Sequence, residues 1–182
     1  MHDYRISTAT EADLDGARAV LLDTVYRDFG TGYVPRWHAD IIDPGAFYLA
    51  PPRHTLLVAA DGADGTVVAT AALDARGPAH PPNPRWLAER YPSGETAQLR
   101  RVCVRPEHRR RGLARRLVGE LLEFARADGG YRAVYLHTHP HSPGAMDLWR
   151  SLGKIVCDER DGRREGASGG GSGTVHFEIP LG

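Results

Sequence analysis

The sequence is short of lysine, cysteine and long apolar runs, and it carries no net charge. Lys154 is its only lysine, so its basic side chains are almost all arginine. Two cysteines, Cys103 and Cys157, cannot build a disulfide framework, nor a zinc site by themselves. Both fall in apolar, strand-like contexts, where a free thiol is commonly buried as a small hydrophobe. No uninterrupted apolar run reaches the length of a bilayer-spanning helix. The amino end, MHDYRISTAT, has no apolar segment of signal-peptide length, so a cytoplasmic protein is expected. With 23 basic and 23 acidic residues, no global field draws the chain to nucleic acid or to an anionic membrane. Internal repeats are absent. At 182 residues the chain is expected to form one domain, residues 1–182, with a full core.

What the sequence does contain is a regular alternation of strand and helix signals. Tyr4–Thr8 reads as a first strand. Thr10 is an N-cap candidate for a helix whose apolar stripe, Leu14, Ala17, Val20, Leu21 and Val25, runs to about Phe29. A shorter helix is expected within 32–47, ending before Pro44-Gly45. Two apolar runs, His54–Ala60 and Thr66–Leu73, flank DGADG and predict a hairpin. Residues 76–95 then interrupt the rhythm with a proline-rich insertion, in which 86–90 has room for a helical turn. Near the carboxyl end, Lys154–Cys157 and Thr174–Ile179 read as closing strands. Between them, residues 160–173 form a charged and then glycine-rich loop whose composition predicts mobility.

The densest signal lies at 97–125. Leu99, Val102, Cys103 and Val104 belong to a strand that Pro106 ends. Leu99 and Val102 differ in parity and cannot share a face of a regular strand, so one inserted residue, a β-bulge, is expected. From Leu113 the apolar positions are Leu113, Leu117, Val118, Leu121, Leu122 and Ala125, the spacing of an amphipathic helix closed by Gly129-Gly130. The joint is Arg109-Arg110-Arg111-Gly112-Leu113-Ala114-Arg115. First-turn N–H groups without intrahelical partners, a positive helix end and a glycine that lets a ligand approach make this a site for phosphate or pyrophosphate. A solvated arginine face and a nucleic-acid track are the alternatives that the residues leave open, since 100–116 carries eight arginines.

Arg109-x-x-Gly112-x-Ala114, after a strand ending Val102-Cys103-Val104-Arg105-Pro106, resembles the acyl-CoA signature of the GNAT superfamily of N-acetyltransferases. A second strand, Ala133–Thr138, comes next. Then Ala145-Met146-Asp147-Leu148-Trp149-Arg150-Ser151-Leu152-Gly153 is similar to the family's A-x-x-L-Y-x-x-L-G-F, with Lys154 in place of the phenylalanine. The resemblance covers about a third of the chain and implies an α/β fold with a mixed, mostly antiparallel central sheet flanked by helices. Its acyl-CoA-binding core would be 97–155, and the loop at 160–173 would border the acceptor as a lid or serve as a flexible link.

The implied activity is acetyl transfer from acetyl-CoA to a primary amine. By resemblance, pantetheine lies along Val102, Cys103 and Val104, where a backbone N–H in the bulged strand polarises the thioester carbonyl. The pyrophosphate meets the amides of Arg110–Arg115, and Ser142 and Trp149 complete the acyl-CoA site. Two departures bear on catalysis. Trp149 stands where the family often has an acidic tyrosine, and an indole N–H surrenders no proton at neutral pH. Gln98 stands near a position often held by a carboxylate, with Glu95 three residues earlier. The base candidates are therefore His137 and His139, at the end of the second strand, and Glu95. His137 and His139 on one strand face would also suit a metal, but without neighbouring carboxylate or cysteine no metal site is assigned. Ser142-Pro143 reads as the N-cap and first turn of the helix carrying Trp149. The departures keep open a catalytically silent acyl-CoA-binding module. They also keep open a transferase using another donor, such as a different acyl-CoA or an aminoacyl-tRNA. The expected partners are acetyl-CoA and an amine-bearing acceptor, without membrane and without nucleic acid as the favoured ligand; a homodimer is left open.

Overall fold

The computed structural model describes residues 3–161 and 173–181. Its strands form one mixed, mostly antiparallel seven-stranded sheet in the order β1-β2-β3-β4-β5-β7-β6, flanked by helices. By its internal contacts the chain divides into two compact units, Met1–Ala75 with Leu99–Gly129, and Arg76–Gln98 with Gly130–Gly182.

In the first unit, β1 (Tyr4–Thr8) pairs antiparallel with β2 (Thr55–Asp61), which pairs antiparallel with β3 (Val67–Asp74). The expected hairpin is closed by the Asp61 carbonyl, which accepts from the Gly65 N–H at 2.8 Å, and by Asp61 and Asp64 carboxylates that accept from Ala63 and Thr66 N–H groups. Both strands are buried along almost their whole length, which is why they read as apolar runs rather than alternations. Helix α1 (Leu14–Asp23) continues into a wider π turn, Thr24–Asp28. Helix α2 (Pro35–Ile42) breaks at His38, and a second π turn, Gly45–Leu49, comes after the Pro44 at which the helical signal was expected to stop. The apolar stripe of α4 (Leu113–Asp128) is buried as its spacing predicts, and Gly129 caps it with φ 72°.

The second unit holds α3 (Arg85–Arg90), β5 (Ala133–Thr138), α5 (Ala145–Leu152), β6 (Lys154–Asp158) and β7 (Val175–Ile179). Strand β4 (Thr96–Val104) starts in this unit and ends in the first. Its first three residues run parallel to β5, Thr96 opposite Ala133 and Gln98 opposite Tyr135. β7 lies between β5 and β6, antiparallel to both. The proline-rich insertion is anchored rather than merely decorative, because Leu87 and Tyr91 are buried against Tyr135 with Ala133 and Val156 alongside. Its ends are joined by the Gly77 N–H, which donates to Ser93 Oγ at 3.0 Å. The Leu-Gly closing the second motif also has a packing cause: a Cβ on Gly153 would lie 2.4 Å from the Glu178 carbonyl oxygen.

Three expectations change. The N-cap of α5 is Gly144, at φ 71°, and Ser142 lies before it, its carbonyl accepting from Ala145 N–H at 3.1 Å. β5 ends at Thr138, so His139 is beyond the strand and does not share its face with His137. Cys103 and Cys157 are each half-buried rather than buried. The mobility expected of 160–173 concerns mainly residues 162–172, which lie outside the described residues.

Candidate functional site

In the first unit the arginine-rich joint is a braced loop. Arg109 donates from Nε to the Val104 carbonyl at 2.8 Å, and its guanidinium pairs with Asp28 on the π turn that extends α1. Arg111 donates to Tyr4 Oη at 2.7 Å and to the Glu107 carbonyl at 3.1 Å. Arg105 pairs with Asp23 at 3.3 Å, and Arg116 donates to the Tyr4 carbonyl at 3.4 Å. These side chains hold the loop to the unit that carries it. Arg110 and Gly112 are exposed and both left-handed, at φ 61° and 77°. A left-handed residue next to a right-handed one, as Gly112 is to the first residue of α4, turns successive N–H groups toward one point, the geometry that concentrates anion-binding amides. A Cβ on Gly112 would meet nothing within 4 Å, and no acidic residue lies in the first turn of α4. The residues present therefore fit a pyrophosphate at Arg110–Arg115.

The strand leading into that loop is irregular where parity predicts. Arg101, in the middle of β4, has φ 54°. A left-handed residue breaks the two-residue alternation, and its effect is visible in the side chains. Arg100 and Arg101 are consecutive, yet both reach Asp40, at 3.8 and 2.6 Å. Cys103, two residues on, packs against the core clusters built around Val20 and Leu21 of α1. Burial pushes its thiol pKa up, so it stays protonated and acts as a packing group.

Asp40 is 3% exposed. Burial by itself would raise its carboxyl, but the hydrogen bonds and charge of Arg101, aided by Arg100 and Tyr48, outweigh burial and hold it down to about 2. Tyr48 Oη donates to Asp40 Oδ2 at 2.5 Å.

In the second unit, His137 is exposed near the end of β5, and His139 is exposed just past it. Glu95 is also exposed, with its carboxylate 3.1 Å from Arg132 Nε. Glu95 precedes the residue paired with Ala133, and His137 lies four residues beyond Ala133, about 13 Å along the strand. These base candidates thus do not converge. Trp149 is buried on α5.

The same unit contains a hydrogen-bonded chain that sequence reasoning missed. Tyr135 Oη lies 2.7 Å from His176 Nδ1, and His176 Nε2 lies 3.1 Å from Glu159 Oε1. Tyr135 and His176 are fully buried. Burial works to raise the Glu159 carboxyl, but hydrogen bonds from His176 and the Thr174 N–H outweigh it and lower the pKa. An ionised Glu159 only accepts, so His176 Nε2 carries a proton toward it. The ring of His137 lies 6.2 Å from that of His176, its partner across β5 and β7. Beside this chain, Glu178 accepts from Tyr91 Oη at 2.5 Å, with Lys154 Nζ at 2.8 Å and Arg90 Nη2 at 3.2 Å. Tyr135 and His137 alternate on β5, and His176 stands at a polar position between Val175 and Phe177, so a faint pattern signal was present. Glu159 had none.

The profile described as the acetyltransferase (GNAT) family matches residues 21–153. The chain belongs to the GNAT family of acetyltransferases. It is 36% identical to N-acetyltransferase 8 of Rattus norvegicus over 118 residues, 64% of this chain and 46% of that protein. It is 44% identical to N-acetyltransferase 8F1 of the same organism over 63 residues, 34% of this chain and 28% of that one. This GNAT chain therefore spans less than half the length of these curated relatives. Its fold is similar to a GNAT-family acetyltransferase from Staphylococcus aureus Mu50, with TM-score 0.73 at 12% identity over 99% of this chain and all of the other. It is also similar to a Salmonella typhimurium protein solved with its cofactor acetyl-CoA, with TM-score 0.68 at 17% identity over 99% and 95% of the two chains. Among the described residues, no helix is long and apolar enough to cross a membrane, and no group of three histidine, cysteine or acidic side chains is placed to hold a metal.

Proposed function

We propose that this GNAT chain is an acetyl-CoA-dependent N-acetyltransferase acting on a primary amine. The observation that carries the reading is the pair of left-handed residues, Arg110 and Gly112, in the loop that joins the irregular strand β4 to α4. Acetyl-CoA supplies the activated acetyl group: the amine nitrogen forms the new bond to the acyl carbon, and the bond to sulfur breaks. The protein's part is to bind, orient and move a proton. Amides of Arg110–Arg115 take the pyrophosphate, and Val102, Cys103 and Val104 offer backbone to the pantetheine and thioester. Ser142 and Trp149 remain assigned to the acyl-CoA site.

Of the three base candidates, His137 is best supported. Its ring belongs to a strand face shared with Tyr135 and His176, whereas the Glu95 carboxylate is paired with Arg132 and His139 lies beyond the strand. Trp149 supplies no acid, and a thiol with a pKa of about 8.5 leaves without one. The nucleic-acid donor loses support, because Arg100, Arg101, Arg105, Arg109, Arg111 and Arg116 are engaged within the protein.

Gly112→Asp tests the anion site. It places a negative charge where the pyrophosphate lies, in a position open enough for the side chain, at a stability cost of about 1 kcal/mol for the left-handed backbone. Calorimetric titration with acetyl-CoA should show binding to the wild type and none to the variant, with both folded. Wild-type affinity in the variant refutes the site. Mass spectrometry of wild-type protein with acetyl-CoA and pooled primary amines should then show an acetylated product.

A further inference from the structure

The buried charges around Arg101 have a cost that stability alone does not explain. A non-glycine residue in the left-handed region is strained, because its Cβ crowds the following carbonyl oxygen, and such strain persists only where the surroundings over-determine it. Here they do so from three directions. Arg101 Nε and Nη2 donate to the two Asp40 oxygens at 2.8 and 2.6 Å. Nη2 also donates to the Trp37 carbonyl at 2.8 Å, next to the break of α2 at His38. The Arg101 carbonyl accepts from Thr70 Oγ1 at 2.9 Å. Tyr48 Oη donates to Asp40 Oδ2, the oxygen that Arg101 Nε also reaches. Arg100 lies between Asp40 and the fully buried Asp74, at 3.8 and 3.6 Å.

Two simpler solutions were open to this sequence. Glycine at 101 would adopt the same φ without strain. Apolar residues of similar volume in place of the ion pair are often neutral or stabilising. The chain has neither. It uses a planar, forked side chain whose two bonds to one carboxylate fix direction as well as distance. The next three residues along the strand are Val102-Cys103-Val104, the backbone assigned to the donor.

We propose that Asp40 and Tyr48 are positioning residues for acyl transfer: acting through the Arg101 fork, they set the orientation of the Val102–Val104 backbone toward the thioester carbonyl. The inference rests on the acetyl-CoA reading of the site. It adds residues from α2 and the π turn after it, neither of which is assigned a contact with the donor.

The test is isotope-edited infrared spectroscopy of acetyl-CoA labelled with carbon-13 at the carbonyl, bound to full-length protein. A carbonyl polarised by β4 absorbs at lower frequency than in solution. Arg101→Lys keeps the charge and loses the fork; in the folded variant the frequency should return at least halfway to its solution value. Leu121→Ala, a truncation of a fully buried α4 side chain in the same unit, should lower the melting temperature and leave the bound frequency unchanged. An unshifted frequency in folded Arg101→Lys, equal to that of the wild type, overturns the proposal. Should Arg101→Lys fail to fold, Tyr48→Phe replaces it, since it removes one donor to Asp40 and leaves the fork; a partial return is expected and no change is the overturning result. Absence of any acetyl-CoA binding by the wild type is a separate outcome, which refutes the donor reading itself.

Discussion

The two units bury polar groups in opposite ways. In the first, Asp40 meets Arg101 as a bidentate ion pair, and the carboxyl is held far down its titration range. In the second, Tyr135, His176 and Glu159 form a hydrogen-bonded chain whose carboxylate lies at the partly exposed end. The ion pair is directional, and removing Arg101 strands the Asp40 charge at 3% exposure. The hydrogen-bonded chain is cheaper to break, because the Glu159 side chain at its end is 35% exposed. The protein thus keeps its stiffest polar contact beside the strand assigned to the donor. Its more adaptable contact lies beside the strand end assigned to the base.

That contrast can be broken by measurement. The largest effect is expected from Asp40→Ala, which leaves Arg101 buried without its counter-ion: urea unfolding should show a loss of about 3–5 kcal/mol. A loss under about 1 kcal/mol, the range of an exposed pair, would mean that the clamp is solvated and the contrast is unfounded. Next comes acid. The Asp40 carboxyl is lower in the folded protein than in the unfolded chain, so its contribution is complete above roughly pH 4 and is lost as pH falls through about 2. The loss across that window should be about 2–3 kcal/mol, at about 1.4 kcal/mol for each pH unit between the two titration points, and it should vanish in Asp40→Asn. An unchanged acid limb in that variant would assign the effect to other carboxylates. The smallest effect is expected from Tyr135→Phe, which removes one hydroxyl from the hydrogen-bonded chain in the second unit. Thermal unfolding should place it at about 1 kcal/mol. A cost matching that of Asp40→Ala would show that the chain is as stiff as the ion pair.

Much of the fold was legible in the residues alone, for reasons specific to each element. The α4 stripe reads cleanly because its buried positions are all apolar and its end is a glycine that takes φ 72°. The β2–β3 hairpin reads because DGADG separates two apolar runs, and its aspartates make the turn bonds themselves. An irregularity in β4 was expected from parity, but not that Arg101 would carry it with φ 54°, since nothing local marks arginine as left-handed. Ser142 was misread because Ser-Pro is an ordinary helix start, while the actual cap is set by Gly144. The second motif strand was read with its observed bounds, Ala133–Thr138, and those bounds already leave His139 beyond the strand face that His137 occupies. The Asp40–Arg101 pair and the Tyr135–His176 contact join residues 61 and 41 positions apart, and no local pattern encodes such a pairing.

The sequence by itself determined the order of elements, the apolar faces and the glycine-marked joint at Gly112, because these depend on residue type and on spacing along one strand or helix. Tertiary structure alone decided what the arginines do. By charge count Arg100, Arg101, Arg105, Arg109 and Arg111 are alike, yet folding brings Asp74, Asp40, Asp23, Asp28 and Tyr4 to them in turn. A guanidinium is committed to an internal brace only when burial lowers the local dielectric and a partner arrives from elsewhere in the chain.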